Sequence, residues 1–297
     1  MIDSPPTRGA PGDGAAARPA AVAAALHRRL VVERSPGAPL LLGFDVDGTL
    51  APIVQRPEDA AVPEPTLRVL ASLAGRRATR LAVVSGRAAA DAARIVALDG
   101  LWVIGNHGAE VVAPDGTLAV DPLVAPYAPA VAAAAGALAA PVRAVPGARL
   151  EDKRWTLTLH YRRVADAAGV AALEAATTTA GRDFGLVLHR GKQVFELRPP
   201  VRVNKGTALL RLARDLGAAA PGAGLLYAGD DATDEDAFRV LRAELPNAVT
   251  IKVVGEPPVR GAGGDAPPIP TDAELTLVGL DTLRDALEQL DAWLASA

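Results

Sequence analysis

Short apolar runs alternate with amphipathic stretches through the first third of the chain. PLLLGFDVDG (39–48) reads as a strand ending in a turn, and TRLAVVSGR (79–87) as a second strand. Between them EPTLRVLASLAG (64–75) reads as a helix, with Pro65 in its first turn and Gly75 at its end. AAADAARIVAL (88–98) is a second helix, and GLWVIGNHGAE (100–110) a third strand leading into a loop. This β-α-β-α-β order fits few architectures. Parallel strands need crossovers, and the crossovers lay helices on both faces of the sheet. A strand covered on both faces is apolar throughout rather than alternately, which is the character of these Leu, Val and Ile runs.

The pattern changes after about residue 110. GAEVVAPDGTLAV (108–120) reads as a hairpin turning at Asp115-Gly116. An Ala-rich helix is expected over 128–140, and AAGVAALEAATTTAG (167–181) is a second one. KRWTLTLHYRR (153–163) alternates polar and apolar residues, as a strand with one wet face does. FGLVLHRGKQVFELRP (184–199) is another hairpin, turning at HRGKQ. The α/β pattern then returns. NKGTALLRLARDLG (204–217) is a helix, AGLLYAGDDATDEDAF (223–238) a strand ending in acids, and ELPNAVTIKVVG (244–255) contains a strand. GEPPVRGAGGDAPPIP (255–270) is a loop, and LDTLRDALEQLDAWLASA (280–297) a closing amphipathic helix.

The expected fold is α/β, a Rossmann-like parallel-sheet core with an inserted α+β domain. The expected boundaries are a disordered tail over 1–20, a core formed by 21–112 and 196–297, and an insertion over 113–195. AAVAAALHRRLVV (20–32) is expected as a short helix before the core. A chain of 297 residues with half of them hydrophobic suits one large domain or two smaller ones. A net charge of −3 and a pI near 5.9 lack the footprint of a nucleic-acid binder. The absence of cysteine excludes disulfides, thiolate metal sites and a Cys nucleophile. It is compatible with a reducing cytoplasm. No apolar run is read as reaching the roughly 18 residues of a membrane span, and the N-terminal residues lack a signal-peptide core.

Ligands of open parallel sheets bind beyond the carboxyl ends of the strands. Four strands end there in polar residues: Asp45 and Asp47, Ser85, Asn106 and His107, and Asp230 and Asp231. Crowding carboxylates is costly unless a cation neutralises them, and hard oxygen ligands favour Mg²⁺. Alone, DVDG is equally a turn with solvated acids, Ser85 a plain helix cap, Lys205 an exposed lysine at a helix start, and DATDED a helix N-terminus.

Four motifs taken together resemble those of the haloacid-dehalogenase-like phosphatases. They are DVDGTL (45–50), VVSGR (83–87), NKGTAL (204–209) and GDDATDEDAF (229–238), in matching order over nearly the whole chain after residue 38. GNHGAE (105–110), EDKRWTLTLHYR (151–162) and GKQVFELRP (191–199) resemble, within that superfamily, the trehalose-6-phosphate phosphatases. The resemblance implies Mg²⁺-dependent hydrolysis of trehalose 6-phosphate through an aspartyl-phosphate. This is the last step of trehalose biosynthesis. It implies Asp45 as nucleophile, Asp47 as general acid/base, and Ser85 and Lys205 as phosphate-handling residues. Mg²⁺ would be held by Asp45, Asp47 through its backbone carbonyl, Asp230 and Asp231, with Asp234 a further candidate. Gly86, Arg87, Asn106 and His107 would bind substrate from the core, and Glu151, Lys153, Arg162 and Glu196 from the insertion, which would close as a cap.

Strict alternation in one strand sets Glu151 and Lys153 with Trp155, opposite His160 and Arg162, so not all face one ligand unless the strand starts after Lys153 or bulges. Trp155 and Tyr161 are expected in the cap core, and His160 in a structural role. The expected partner is a small-molecule sugar phosphate, with functional coupling to a trehalose-6-phosphate synthase, as a monomer away from nucleic acid and membrane. The alternatives are a phosphatase for sucrose phosphate or mannosyl-phosphoglycerate, or a non-catalytic sensor of trehalose phosphate or partner of the synthase.

Overall fold

The computed structural model describes residues 19–54, 56–191, 193–255 and 270–296. The tail expected over 1–20 lies outside the described residues as far as Arg18, as does most of the 255–270 loop. Pro19 and Ala20 open the first helix.

The core elements begin with α1 (Pro19–Leu26), β1 (Leu40–Phe44), α2 (Glu64–Ala74), β2 (Thr79–Val84), α3 (Ala89–Val96), β3 (Trp102–Gly105), β4 (Glu110–Val112) and β5 (Leu118–Val120). Then come α4 (Ala128–Ala144), β6 (Arg149–Asp152), β7 (Leu157–His160), α5 (Ala167–Asp183), β8 (Val187–Gly191) and β9 (Val194–Arg198). The chain finishes with α6 (Lys205–Asp215), β10 (Gly224–Gly229), α7 (Ala232–Glu244), β11 (Val249–Val254), β12 (Leu275–Val278) and α8 (Leu280–Ser296).

An eight-stranded sheet has the order β12-β11-β10-β1-β2-β3-β4-β5. It is parallel from β12 to β3, and β4 and β5 add antiparallel at the edge. Leu40, Leu42 and Phe44 of β1 enter one apolar layer with α2, α3 and α8, while Leu41 enters the other with α6 and α7. Burial on both faces is why β1 has no polar residue until it ends. β1 lies between β10 and β2, so segments far apart in sequence meet at the sheet centre. That is the switch point at which such sheets bind ligands.

The second sheet is antiparallel, in the order β6-β7-β9-β8. Leu157, Leu159, Phe195 and Leu197 pack one face against α4 and α5. Cross-strand register aligns Glu151, Thr158, Glu196 and His189 in one row, and period-two alternation turns this row away from the helices.

Several sequence expectations change here. The β4–β5 hairpin belongs to the large sheet, so the expected boundary at 112/113 cuts that hairpin. The boundary at 195/196 falls inside β9. The run 153–163 is not one strand. Asp152 accepts a hydrogen bond from the Arg154 N–H, Lys153 N–H bonds to the Thr156 carbonyl, and Arg154 takes a positive φ. That turn separates β6 from β7 and removes the alternation conflict: Glu151 now shares a face with His160. β12 was not anticipated, because LTLV is too short to stand out beside a Pro/Gly-rich loop.

Trp155 is buried against Ala109 and Val124 at the junction with the large sheet, not in the interior of the second one. Tyr161 does pack there, against Phe195. The helical stretch Ala125–Ala144 is long and apolar enough to cross a membrane by length and composition, contrary to the reading of the apolar runs. It turns Val131, Ala134 and Leu138 onto the second sheet.

Candidate active site

Asp45 is the first residue beyond β1, and its N–H bonds the Ala228 carbonyl of β10. Asp230 is the first residue beyond β10. Gly48 turns the chain between them at φ +90°, and a Cβ there would lie 2.1 Å from Oδ2 of Asp230. Only glycine allows that approach. Oxygens of Asp45, Asp230 and Asp234 lie within 4.8 Å of one another.

Lys205, at the start of α6, is 2% exposed and donates to Oδ1 of Asp45 at 2.7 Å and Oδ1 of Asp234 at 2.9 Å. Asp234 is fully engaged. Its Oδ1 also accepts from the Tyr227 hydroxyl, and its Oδ2 from the backbone N–H groups of Asp230 and Asp231, each at 3.0 Å. It fixes the acidic loop. Asp231 caps α7, its Oδ1 accepting from the Thr233 and Asp234 N–H groups. Burial works against its ionisation, but Lys205 and these hydrogen bonds hold its carboxyl well below the usual range.

Burial pushes the Asp45 carboxyl up, with Lys205 opposing and Asp234 and Asp230 adding to the rise. Burial and the charges of Asp234 and Asp231 push Asp230 to about 7. Oδ1 of Asp230 is buried without a hydrogen-bond partner among the described residues. Crowded carboxylates, one of them with an orphaned oxygen, fit a hard divalent cation with oxygen ligands. Of the residues expected on the metal, Asp231 does not contribute a side-chain oxygen to this cluster, and Asp47, expected through its backbone carbonyl, does not offer its carboxylate to it. The Asp47 carboxylate instead receives Nε and Nη2 of Arg87 at 2.6 and 2.8 Å. Arg87 also donates to Asp91 and to the Pro57 carbonyl.

Ser85 follows β2, buried, and its Oγ accepts from the Arg87 N–H. A Cβ on Gly86 would strike the His107 ring at 2.4 Å, so glycine lets that ring lie across the loop. Lys153, reaching over from the second sheet, donates to the Gly86 carbonyl at 2.9 Å. Glu196 lies 3.5 Å from His107 and 3.9 Å from Lys153, and Arg198 binds both Glu196 and Nε2 of His107. Gly86, His107, Lys153 and Glu196 therefore converge.

Asn106 sits behind them, its amide donating to Glu110 and to the Lys153 carbonyl. Glu151 is on the same sheet face as Glu196, but its carboxylate pairs with His160 at 2.7 Å. Arg162 is not brought to this cluster. It is exposed, bonds Gln193, and lines a cavity of about 820 Å³ between Pro57–Glu58 and the edge of the second sheet. Arg198, Glu110 and Asp91 were not anticipated. For Glu110 the signal was a lone acid after a strand and loop, which sequence alone does not mark as buried.

Arginine can only donate, so Nε2 of His107 accepts and the ring is neutral. Burial pushes its pKa down to about 4. In the unfolded chain the same ring protonates near 6.5. Between those values the unfolded chain binds more protons, so stability falls as pH drops from 6.5 toward 4. The wild-type chain should therefore lose on the order of 3 kcal/mol relative to His107→Gln across that window. Urea unfolding of both proteins from pH 4 to 7 checks this, and a constant difference would contradict a neutral buried ring.

The large sheet with acids at its switch point has the fold of the haloacid-dehalogenase-like hydrolases. The family model described as trehalose-phosphatase matches residues 43–261, and the chain belongs to that family. Over 218 residues it is 41% identical to an uncharacterized glycosyl hydrolase of Mycobacterium tuberculosis, covering 72% of this chain and 16% of that protein. Over 216 residues it is 40% identical to the trehalose-phosphate phosphatase of Mycobacterium tuberculosis, covering 71% of this chain and 52% of that protein. The chain thus spans about half the length, or less, of these curated relatives. The crystal structure of a trehalose-6-phosphate phosphatase related protein superposes with a TM-score of 0.69 at 26% identity, covering 86% of this chain and 99% of that one.

Proposed function

We propose that this chain hydrolyses trehalose 6-phosphate to trehalose and phosphate with Mg²⁺ as cofactor. The observation that carries the reading is the meeting of Asp45, Asp230 and Asp234 at the ends of β1 and β10, with Lys205 on Asp45. Family membership supports trehalose 6-phosphate as the substrate.

Asp45 acts as the nucleophile. Its Oδ1 is held by Lys205, which leaves Oδ2 to attack phosphorus and form an aspartyl-phosphate while the sugar oxygen departs. Asp47 donates a proton to that oxygen and then takes one from the water that hydrolyses the acyl phosphate. Arg87 orients Asp47 between these steps. Ser85 and the backbone at Gly86 bind phosphoryl oxygens. Mg²⁺, when bound, offsets the repulsion between the nucleophile and the phosphate. Asp45, Asp230 and the Asp47 carbonyl would hold it, while Asp234 and Asp231 shape the loop.

In this reading residues 128–198 form the cap. The polar face of its sheet, with Glu151, Lys153 and Glu196, reads the sugar hydroxyls, and closure excludes water from the acyl phosphate.

The test is phosphate release from trehalose 6-phosphate, with Mg²⁺ and with excess EDTA, beside sucrose, glucose and mannosyl phosphates. The expected result is turnover selective for trehalose 6-phosphate that EDTA removes and added Mg²⁺ restores. Preference for another sugar phosphate would retain the chemistry and overturn the substrate. No turnover of any of them would favour a sensing role.

A further inference from the structure

We propose that Thr158 is a specificity-determining residue whose hydroxyl binds a sugar hydroxyl of the substrate, an inference that rests on the function proposed above. Thr158 lies at the centre of β7, opposite Glu151 on β6 and opposite Glu196 on β9. It is 4% exposed. Its Oγ1 is buried without a hydrogen-bond partner among the described residues, and so is Oε1 of Glu196 beside it.

The position does not call for a hydroxyl on structural grounds. Leu157 and Leu159 on either side carry the packing against α4 and α5, and a β-branched apolar residue would serve the strand equally well. A hydroxyl buried with nothing to bond costs free energy that valine would avoid. The cost is offset only if a partner arrives. The face bearing Thr158 is the one that meets the large sheet, since Glu196 in the same row reaches His107.

The ligand chemistry follows from the two orphaned atoms. Oε1 of Glu196 only accepts, whereas Oγ1 of Thr158 both donates and accepts. Neighbouring ring hydroxyls offer the same pairing: one donates to the carboxylate while its neighbour exchanges a hydrogen bond with Thr158. A phosphate oxygen cannot fill that pair, because it would meet the Glu196 carboxylate. Burial alone would raise that carboxyl, but the Arg198 and Lys153 cations beside it keep Glu196 ionised. The row thus suits the sugar, while phosphate binds at the ends of the large sheet.

The test compares kcat/KM for trehalose 6-phosphate with kcat/KM for p-nitrophenyl phosphate, which has no sugar. Thr158→Val keeps the shape and removes the hydroxyl, and the ratio of the two constants should fall about tenfold. Thr158→Ser should restore most of it. With a set of monodeoxy trehalose 6-phosphates, one deoxy position should cost the wild-type enzyme about tenfold and cost Thr158→Val almost nothing. An unchanged ratio in a Thr158→Val protein of wild-type melting temperature would overturn the inference and leave the proposed function standing. A wild-type chain without preference for trehalose 6-phosphate over other sugar phosphates would overturn both.

Discussion

Asp45→Asn should release phosphate at least about 10⁴-fold more slowly than the wild-type chain, yet fold at least as stably. The two halves of that expectation have separate causes. Amide nitrogen and oxygen cannot replace a carboxylate as the atom that bonds phosphorus, so covalent catalysis ends. Stability runs the other way because the Asp45 carboxyl is pushed up by burial and by Asp234 and Asp230. A group whose folded pKa is raised is ionised at neutral pH only at a cost. Asparagine removes that cost, and Lys205 keeps Asp234 as its partner. The expected gain in metal-free buffer is up to about 1 kcal/mol, a rise of a few degrees in melting temperature. Rate and calorimetry on one preparation read both. Wild-type turnover would remove Asp45 from the mechanism, and a fall of several degrees would mean that Lys205 depends on it.

Lys205→Met should destabilise the metal-free protein by about 3–5 kcal/mol at pH 8, the usual consequence of stranding buried charge. Lys205 is 2% exposed and is the cation on both Asp45 and Asp234. Without it, both carboxyls are raised further. Above the unfolded carboxylate range, near 4, the folded variant then binds more protons than its unfolded chain. Its stability therefore falls as pH rises, and the deficit against wild type should be smaller at pH 5.5 than at pH 8. Denaturant titrations at the two values measure this. An equal deficit would mean that lost packing of the lysine stem, not charge, accounts for the damage. Phosphate release should also fall sharply, since Asp45 loses the group that orients it.

The sequence made the centre of the site legible and its periphery much less so. Asp45, Ser85 and Asp230 follow strands that announce themselves by unbroken apolar runs, so their meeting at the sheet end could be read from order alone. The division of labour among the acids could not. Asp231 and Asp234 sit three apart, a spacing that serves a helix cap as well as a ligand pair, and the structure uses Asp231 as a cap with Asp234 bonding back to the loop. The side chain that engages Asp47 is Arg87, from the next strand end, and no spacing rule links them.

In the second sheet, strict alternation groups the residues only if one strand runs unbroken, and a turn after Asp152 breaks it. Glu151 and His160 come together by strand pairing rather than by parity along one strand. Arg162 lies two residues beyond β7, outside the regular pleat, so its exposure did not follow from the pattern.

Glu110 has a consequence for how this architecture can be varied. Its buried carboxylate receives the first N–H of α3, the amide of Asn106 and the indole N–H of Trp155. Two of these donors belong to the large-sheet half and one to the turn between β6 and β7. A graft between relatives has a ready cutting point where the chain passes from one sheet to the other. A graft that brings in a foreign segment without an indole at this turn would leave the buried Glu110 carboxylate one donor short. The two halves are therefore not interchangeable parts. Position 110 and position 155 have to be exchanged together for the buried carboxylate to keep all three donors.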